Sequence, residues 1–164
     1  MRVYVPSTST DLRALEASGG LPADLTAFAV TPGLREWYLD DDIEALEYAA
    51  MLDAARASLR LLDADTTAAR RRVVLALDAS DASVQVRDDL DRGVVRLITT
   101  TPLARIASVH VDDADAERAV TLAADSIIAA DLGDEAAQDR VDDADGFELS
   151  WYATQEIGAA LARL

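Results

Sequence analysis

The sequence predicts a single α/β domain over residues 1–164. It holds an N-terminal β-α-β-α-β unit in a mixed sheet of five to six strands, covered by helices, with a C-terminal helix docked on the body. Three observations carry this expectation. Short runs rich in Val, Ile and Leu alternate with longer segments whose apolar residues recur every three or four positions. A chain of 164 residues suits one domain with a sizeable core. No linker, internal repeat or low-complexity tract beyond alanine richness divides it.

The elements follow in order. Arg2 to Val5 alternates Val3 and Val5 against Tyr4, a strand pattern that Pro6 ends. Ser7, Thr8, Ser9, Thr10 and Asp11 offer helix N-caps, with Thr8 and Asp11 at capping-box spacing, and the helix stops at Gly19 and Gly20. Leu25 to Thr31 is apolar almost throughout and predicts a strand buried on both faces. Asp40, Asp41 and Asp42 then sit at the start of the longest helix, where carboxylates favour the positive end of the helix dipole. This helix, from about Asp42 to Leu62, carries two apolar stripes, more than one sheet face needs, so the pattern predicts a second helix or a second subunit against it.

Arg70 to Asp78 predicts a third strand, and the order so far implies right-handed parallel crossovers. Ser83 to Thr101 reads as short strands around the polar turn Asp88 to Gly93, an antiparallel addition. Arg105 to Val111 predicts another strand, leading into an amphipathic helix with Val120, Ala123, Ala124, Ile127 and Ile128 on one side. Asp134 to Asp145 is acidic and weakly patterned, a loop with a helical turn. The last helix is expected from Gly146, with Asp145 and Glu148 as its capping box and Leu149, Ala153, Ile157, Ala160, Leu161 and Leu164 as its buried stripe.

Composition narrows the chemistry. Without cysteine the chain has no disulfide, thiolate ligand or thiol nucleophile. Its net charge of −16 argues against nucleic acid, which needs a basic face, and against anionic membrane surfaces. Every basic residue is Arg, and Asp exceeds Glu. A GC-rich genome would produce that bias, and so would adaptation to high salt. The start MRVYVPSTS lacks the basic-then-apolar pattern of a signal peptide, and no segment has the ~20 apolar residues of a membrane span, so a cytoplasmic protein is expected.

Candidate site residues are few. His110 is the only histidine; alone it builds no multi-histidine metal site, and it reads either as a general base or as a hydrogen-bonded strand residue. Asp78, Asp112 and Asp113 fall at strand C-termini, where α/β sheets bind ligands, but the same positions suit helix caps and turns. Ser7 and Thr8 precede a helix whose N-terminus could hold an anion, with no glycine-rich phosphate loop beside them. Arg70, Arg71 and Arg72 read as the solvated beginning of a strand or as a site for an acidic ligand. No nucleophile elbow occurs, and no metal or cofactor is implied. The pairs Trp37–Tyr38 and Trp151–Tyr152 contain both tryptophans, and each pair is expected at the beginning of a helix, either packed inside the fold, with the two tryptophans close together, or forming an interface.

The segments MRVYVP, FAVTPGLREWY, EALEYAAMLDAARASLRLL, ASVHVDDADAE and LSWYATQEI span most of the chain. Together they resemble a family of small, acidic, uncharacterised actinobacterial proteins, a domain of unknown function. The resemblance implies an actinobacterial cytoplasm and supplies no catalytic residues.

Two functional expectations stand side by side. One is a non-enzymatic interaction or regulatory module that self-associates, as a homodimer, through the long helix. The other is a small-molecule-binding protein or enzyme with a site at the strand ends around Ser7, Thr8, Asp78, His110 and Asp112. A cleft shared by these side chains would favour the second; separated caps would favour the first.

Overall fold

The computed structural model describes residues 1–38 and 41–164. Its elements are β1 (Arg2–Ser7), α1 (Ser9–Ser18), β2 (Gly20–Leu21), β3 (Leu25–Ala29), α2 (Pro32–Trp37), α3 (Ile43–Ala64), β4 (Val73–Asp78), β5 (Val84–Val86), β6 (Val94–Leu97), β7 (Thr101–Pro102), β8 (Ile106–Asp112), α4 (Glu117–Asp131), α5 (Glu135–Asp145), β9 (Leu149–Ala153) and α6 (Ile157–Leu161). Of the carboxylates expected at the start of α3, Asp40 lies outside the described residues, while Asp42 is the N-cap and accepts the Glu44 N–H at 3.0 Å. Thr8 caps α1 by accepting the Asp11 N–H at 3.2 Å, and Gly19 closes the helix at φ 77°, a left-handed conformation that glycine adopts without a Cβ penalty.

Seven strands form one sheet in the order β5-β6-β3-β1-β4-β8-β9, and β2 and β7 make a separate ribbon. Every pairing is antiparallel. The class is α/β as expected, but the parallel neighbours are not formed. β3 and β4 do run parallel to each other, yet β1 lies between them and is antiparallel to both. An apolar run buried on both faces suits a central antiparallel strand as well as a parallel one, so the runs alone could not separate the two.

One sheet face carries Val3, Val5, Leu75, Leu77 and Val109 beneath Leu12 and Leu15 of α1 and Ile157 of α6. The other carries Tyr4, Phe28, Val74 and Ala76 beneath Leu46, Ala50, Ala54 and Ala55 of α3. The small alanines let the α3 backbone lie close to the strands. Further along α3, Leu59 and Leu62 pack on Val120, Ala124 and Ile127 of α4 and Val141 of α5. The C-terminal end of the second stripe of α3 is thus covered within the chain, by an antiparallel helix pair, while Tyr48 nearer the N-terminus stays 49% exposed.

α5 replaces the expected loop. Asp134 caps it by accepting the Ala137 N–H at 2.8 Å, and Ala137, Val141 and Ala144 form a narrow buried stripe in otherwise acidic sequence. The helix expected from Gly146 is also replaced. Asp145 ends α5, and residues 149–153 form edge strand β9 against β8. The terminal helix is only the five residues of α6, which packs against α1.

The basic cluster does not form a solvated strand start. Arg72 is wholly buried and donates from Nε and Nη2 to the two oxygens of buried Asp112, at 2.8 and 2.9 Å. Its remaining donors reach Asp145 and the Phe147 carbonyl. Arg70 closes the C-terminus of α3 by donating to the Leu62 carbonyl at 2.8 Å. Among the described residues no helix is long and apolar enough to cross a membrane.

Candidate functional site

α3 covers the middle of one sheet face and leaves part of β8 and β9 open. The result is a groove of about 340 Å³ between the N-terminal half of α3 and the β8–β9 edge. Glu44, Glu47, Tyr48 and Met51 line it from α3, Arg2 and Tyr4 from β1, Ser108 and His110 from β8, and Trp151 from β9. Positions 44, 47, 48 and 51 are related by i, i+3, i+4 and i+7, so one face of the helix presents all four.

Ser108 and His110 are two residues apart on one strand and share a face, with Ser108 Oγ 3.1 Å from His110 Nε2. Burial, and secondarily the charge of Arg2, push the imidazole below its ordinary pKa, so the ring is neutral at pH 7. Burial and the nearby Glu47 raise Tyr4, which keeps its phenolic proton. Arg2, the only cation among the groove's lining residues, donates from Nε to Asp78 at 2.8 Å, and its charge also acts on His110 and Glu47. Glu44 and Glu47 leave the groove acidic.

Trp151 and Tyr48 form the open walls, 61% and 49% exposed. Trp151 lies directly opposite His110. The Ala153 N–H bonds Glu156 at 2.8 Å and the Asp112 N–H bonds the Arg72 carbonyl at 3.1 Å, so neither donor serves the β8–β9 ladder. Bonding direction alternates along an antiparallel strand. His110 and Trp151 therefore form a non-hydrogen-bonded pair, the closer kind, and the main-chain N–H and C=O of Trp151 point away from β8. No strand covers that outer edge of β9 among the described residues.

The other residues singled out from sequence do not share this site. Ser7 is buried, its carbonyl accepting from Ser58 Oγ at 2.7 Å, and Thr8 is a helix cap. Asp112 is consumed by Arg72, and Asp78 sits at the far end of β4, paired with Arg2. Of the expected ligand set only His110 lines the groove. The two Trp–Tyr pairs also separate. Trp37 ends α2, with the Arg92 guanidinium 3.5 Å above its ring, and Tyr38 follows it, 44% exposed. Trp151 lies on an edge strand with β1, β4 and β8 between it and β3, and Tyr152 points to the opposite face, against the core. A strand turns successive side chains to opposite faces, so Trp151 stays in water while its neighbour is packed.

Chemically, a neutral imidazole beside a serine hydroxyl could accept a proton. Among the described residues, however, no carboxylate hydrogen-bonds the ring to orient it as in a Ser-His-Asp triad. Nor does any group of three or more His, Asp or Glu side chains there form a metal site. Aromatic walls with two carboxylates suit a cation better than an anion.

No curated protein and no solved structure matches the chain. Residues 1–161 match the model of DUF6912, a family of unknown function, and the chain belongs to that family.

Proposed function

We propose that the protein is a non-enzymatic, cytoplasmic interaction module whose working surface is the groove around Trp151. The cytoplasmic part rests on the sequence alone. The observation that carries the reading is the placement of Trp151: a large apolar ring, 61% exposed, on an uncharged edge strand beside the exposed ring of Tyr48. Tryptophan and tyrosine at such positions supply much of the binding energy of protein interfaces. The homodimer expected through α3 is not part of this reading: α4 and α5 cover Leu59 and Leu62, and the exposed end of the same stripe, at Tyr48, is assigned to the groove.

The chain has two tryptophans, so the protein labelled with 5-fluorotryptophan gives two ¹⁹F resonances. Titration with a library of aromatic, cationic and peptide fragments should move the Trp151 signal and leave Trp37 in place. If no fragment moves Trp151, or those that bind move only Trp37, the assignment of this surface is wrong. A second reading, a small-molecule site in the same groove, is favoured by the Ser108–His110 pair. Under that reading small polar fragments would bind, and His110→Asn would abolish their effect.

A further inference from the structure

The two tryptophans pose a comparison. Each is 61% exposed. Trp37 carries a stacked guanidinium, that of Arg92, 3.5 Å from the ring centroid. Trp151 has no such partner among the described residues, and its groove holds Glu44 and Glu47, while Arg2 is committed to Asp78. Next to this site, β9 offers outward-facing main-chain donors and acceptors at Trp151, in a strand without a charged residue.

On the reading that this groove is the working surface, we infer that its occupant is an extended, arginine-bearing segment of a partner protein. The segment adds as an antiparallel strand to the outer edge of β9, with its guanidinium over Trp151 and facing Glu44 and Glu47. Main-chain bonds to β9 supply affinity, and the side chain opposite Trp151 supplies specificity. That side chain falls on the same sheet face as the indole, within cross-strand reach. Arginine fits better than lysine because its planar guanidinium stacks on an aromatic face while its N–H groups still donate to carboxylates. Charge complementarity argues in the same direction: a chain of net charge −16 attracts a basic segment and repels a second copy of itself.

The full chain labelled with 5-fluorotryptophan tests this against blocked seven-residue peptides that alternate Thr and Val around a central residue. The Arg-centred peptide should move the Trp151 resonance and not Trp37. A Gln-centred peptide should bind at least tenfold more weakly, and a Glu-centred one not measurably. The Arg peptide N-methylated on alternate amides should lose binding, because strand addition needs those donors. The double variant Glu44→Gln/Glu47→Gln, with folding checked by circular dichroism, should weaken the Arg peptide at least fivefold and flatten its salt dependence.

Equal binding of Gln or Glu peptides, retained binding of the N-methylated peptide, or no peptide binding would each overturn the inference. If neutral or acidic peptides move Trp151 with the affinity of the Arg peptide, the partner chemistry falls and the surface assignment stands. If fragments and peptides alike leave Trp151 unmoved, both fall. A Trp151 shift that grows with protein concentration alone would replace the basic segment with a second copy.

Discussion

Asp112→Asn should be among the most damaging single substitutions in the molecule. Arg72 and Asp112 are both fully buried, and the carboxylate accepts three bonds of 2.8–2.9 Å from the Arg72 backbone N–H, Nε and Nη2. The amide of Asn keeps the shape but turns one acceptor into a donor facing Arg72, and leaves the buried guanidinium only the part-exposed Asp145, at 3.3 Å, as a counterion. Breaking one partner of a buried pair costs about 3–5 kcal/mol. A domain of this size has a total stability of roughly 5–15 kcal/mol. With a urea m-value of about 2 kcal/mol/M, the unfolding midpoint should fall by about 2 M. Arg72→Met should cost a similar amount, since it strands the carboxylate. The double variant Arg72→Met/Asp112→Leu should be less destabilised than the sum of the single changes, because apolar replacement of both partners removes the orphaned charge. Urea unfolding followed by far-ultraviolet circular dichroism measures all three. A loss below about 1 kcal/mol for Asp112→Asn, or strict additivity in the cycle, would refute the view that this pair acts as a sealed unit.

Trp151→Ala and Trp37→Ala should each change stability by no more than about 0.5 kcal/mol and add independently, since both rings are mostly in water and occupy different parts of the sheet; urea midpoints of the single and double variants check this, and a cost near 3 kcal/mol would place Trp151 in the core. His110 sets a pH dependence. Its folded pKa lies below the ordinary value near 6.5, so the unfolded chain takes up the proton first, and the stability present above pH 6.5 declines as pH falls below it. Carboxylates such as Asp145, raised in the folded state by partial desolvation, act with the opposite sign, so the comparison is between wild type and His110→Asn. The variant should lose less stability than wild type between pH 7.5 and 5, and parallel curves would show that the ring titrates as in the unfolded chain.

Most elements were legible because their patterns repeat at the period of the structure they form. α3 and α4 show three- and four-residue spacing, and Thr8 and Gly19 bracket α1 as capping chemistry requires. Two failures share a cause. In α5 only Ala137, Val141 and Ala144 are buried, and two of the three are alanines, so acidic composition hid the stripe. In residues 149–164 the apolar set fits a helix, yet Leu149, Trp151 and Ala153 also alternate with Ser150 and Tyr152, and pairing with β8 selected the shorter period. Strand order was not legible, because which strands meet depends on contacts between distant segments. The groove was half legible. His110 stood out as the lone histidine, and the stripe Glu44, Glu47, Tyr48 and Met51 was present as spacing. Its meaning emerged only where β8 and β9 placed Ser108, His110 and Trp151 opposite it. Asp112 and Arg72 were each visible but pointed elsewhere, since adjacency in the sheet, not in the chain, makes them partners.

The central position of β1 has a consequence for synthesis on the ribosome. Its neighbours are β3, ending at Ala29, and β4, ending at Asp78. At roughly 5–20 residues per second, about 2–10 s separate the emergence of these two strands. During that interval the nascent sheet can hold only β1 and β3, with Val3 and Val5 beneath α1 and the main chain of β1 open along its second edge. An open edge on an apolar strand is a template for pairing with other chains. The delay is set by the length of α2 and α3, so lengthening the segment before β4 should extend the interval during which nascent chains can associate wrongly. The middle strand of the sheet is the first to be synthesised, and β9, which bears Trp151, is the last of its strands.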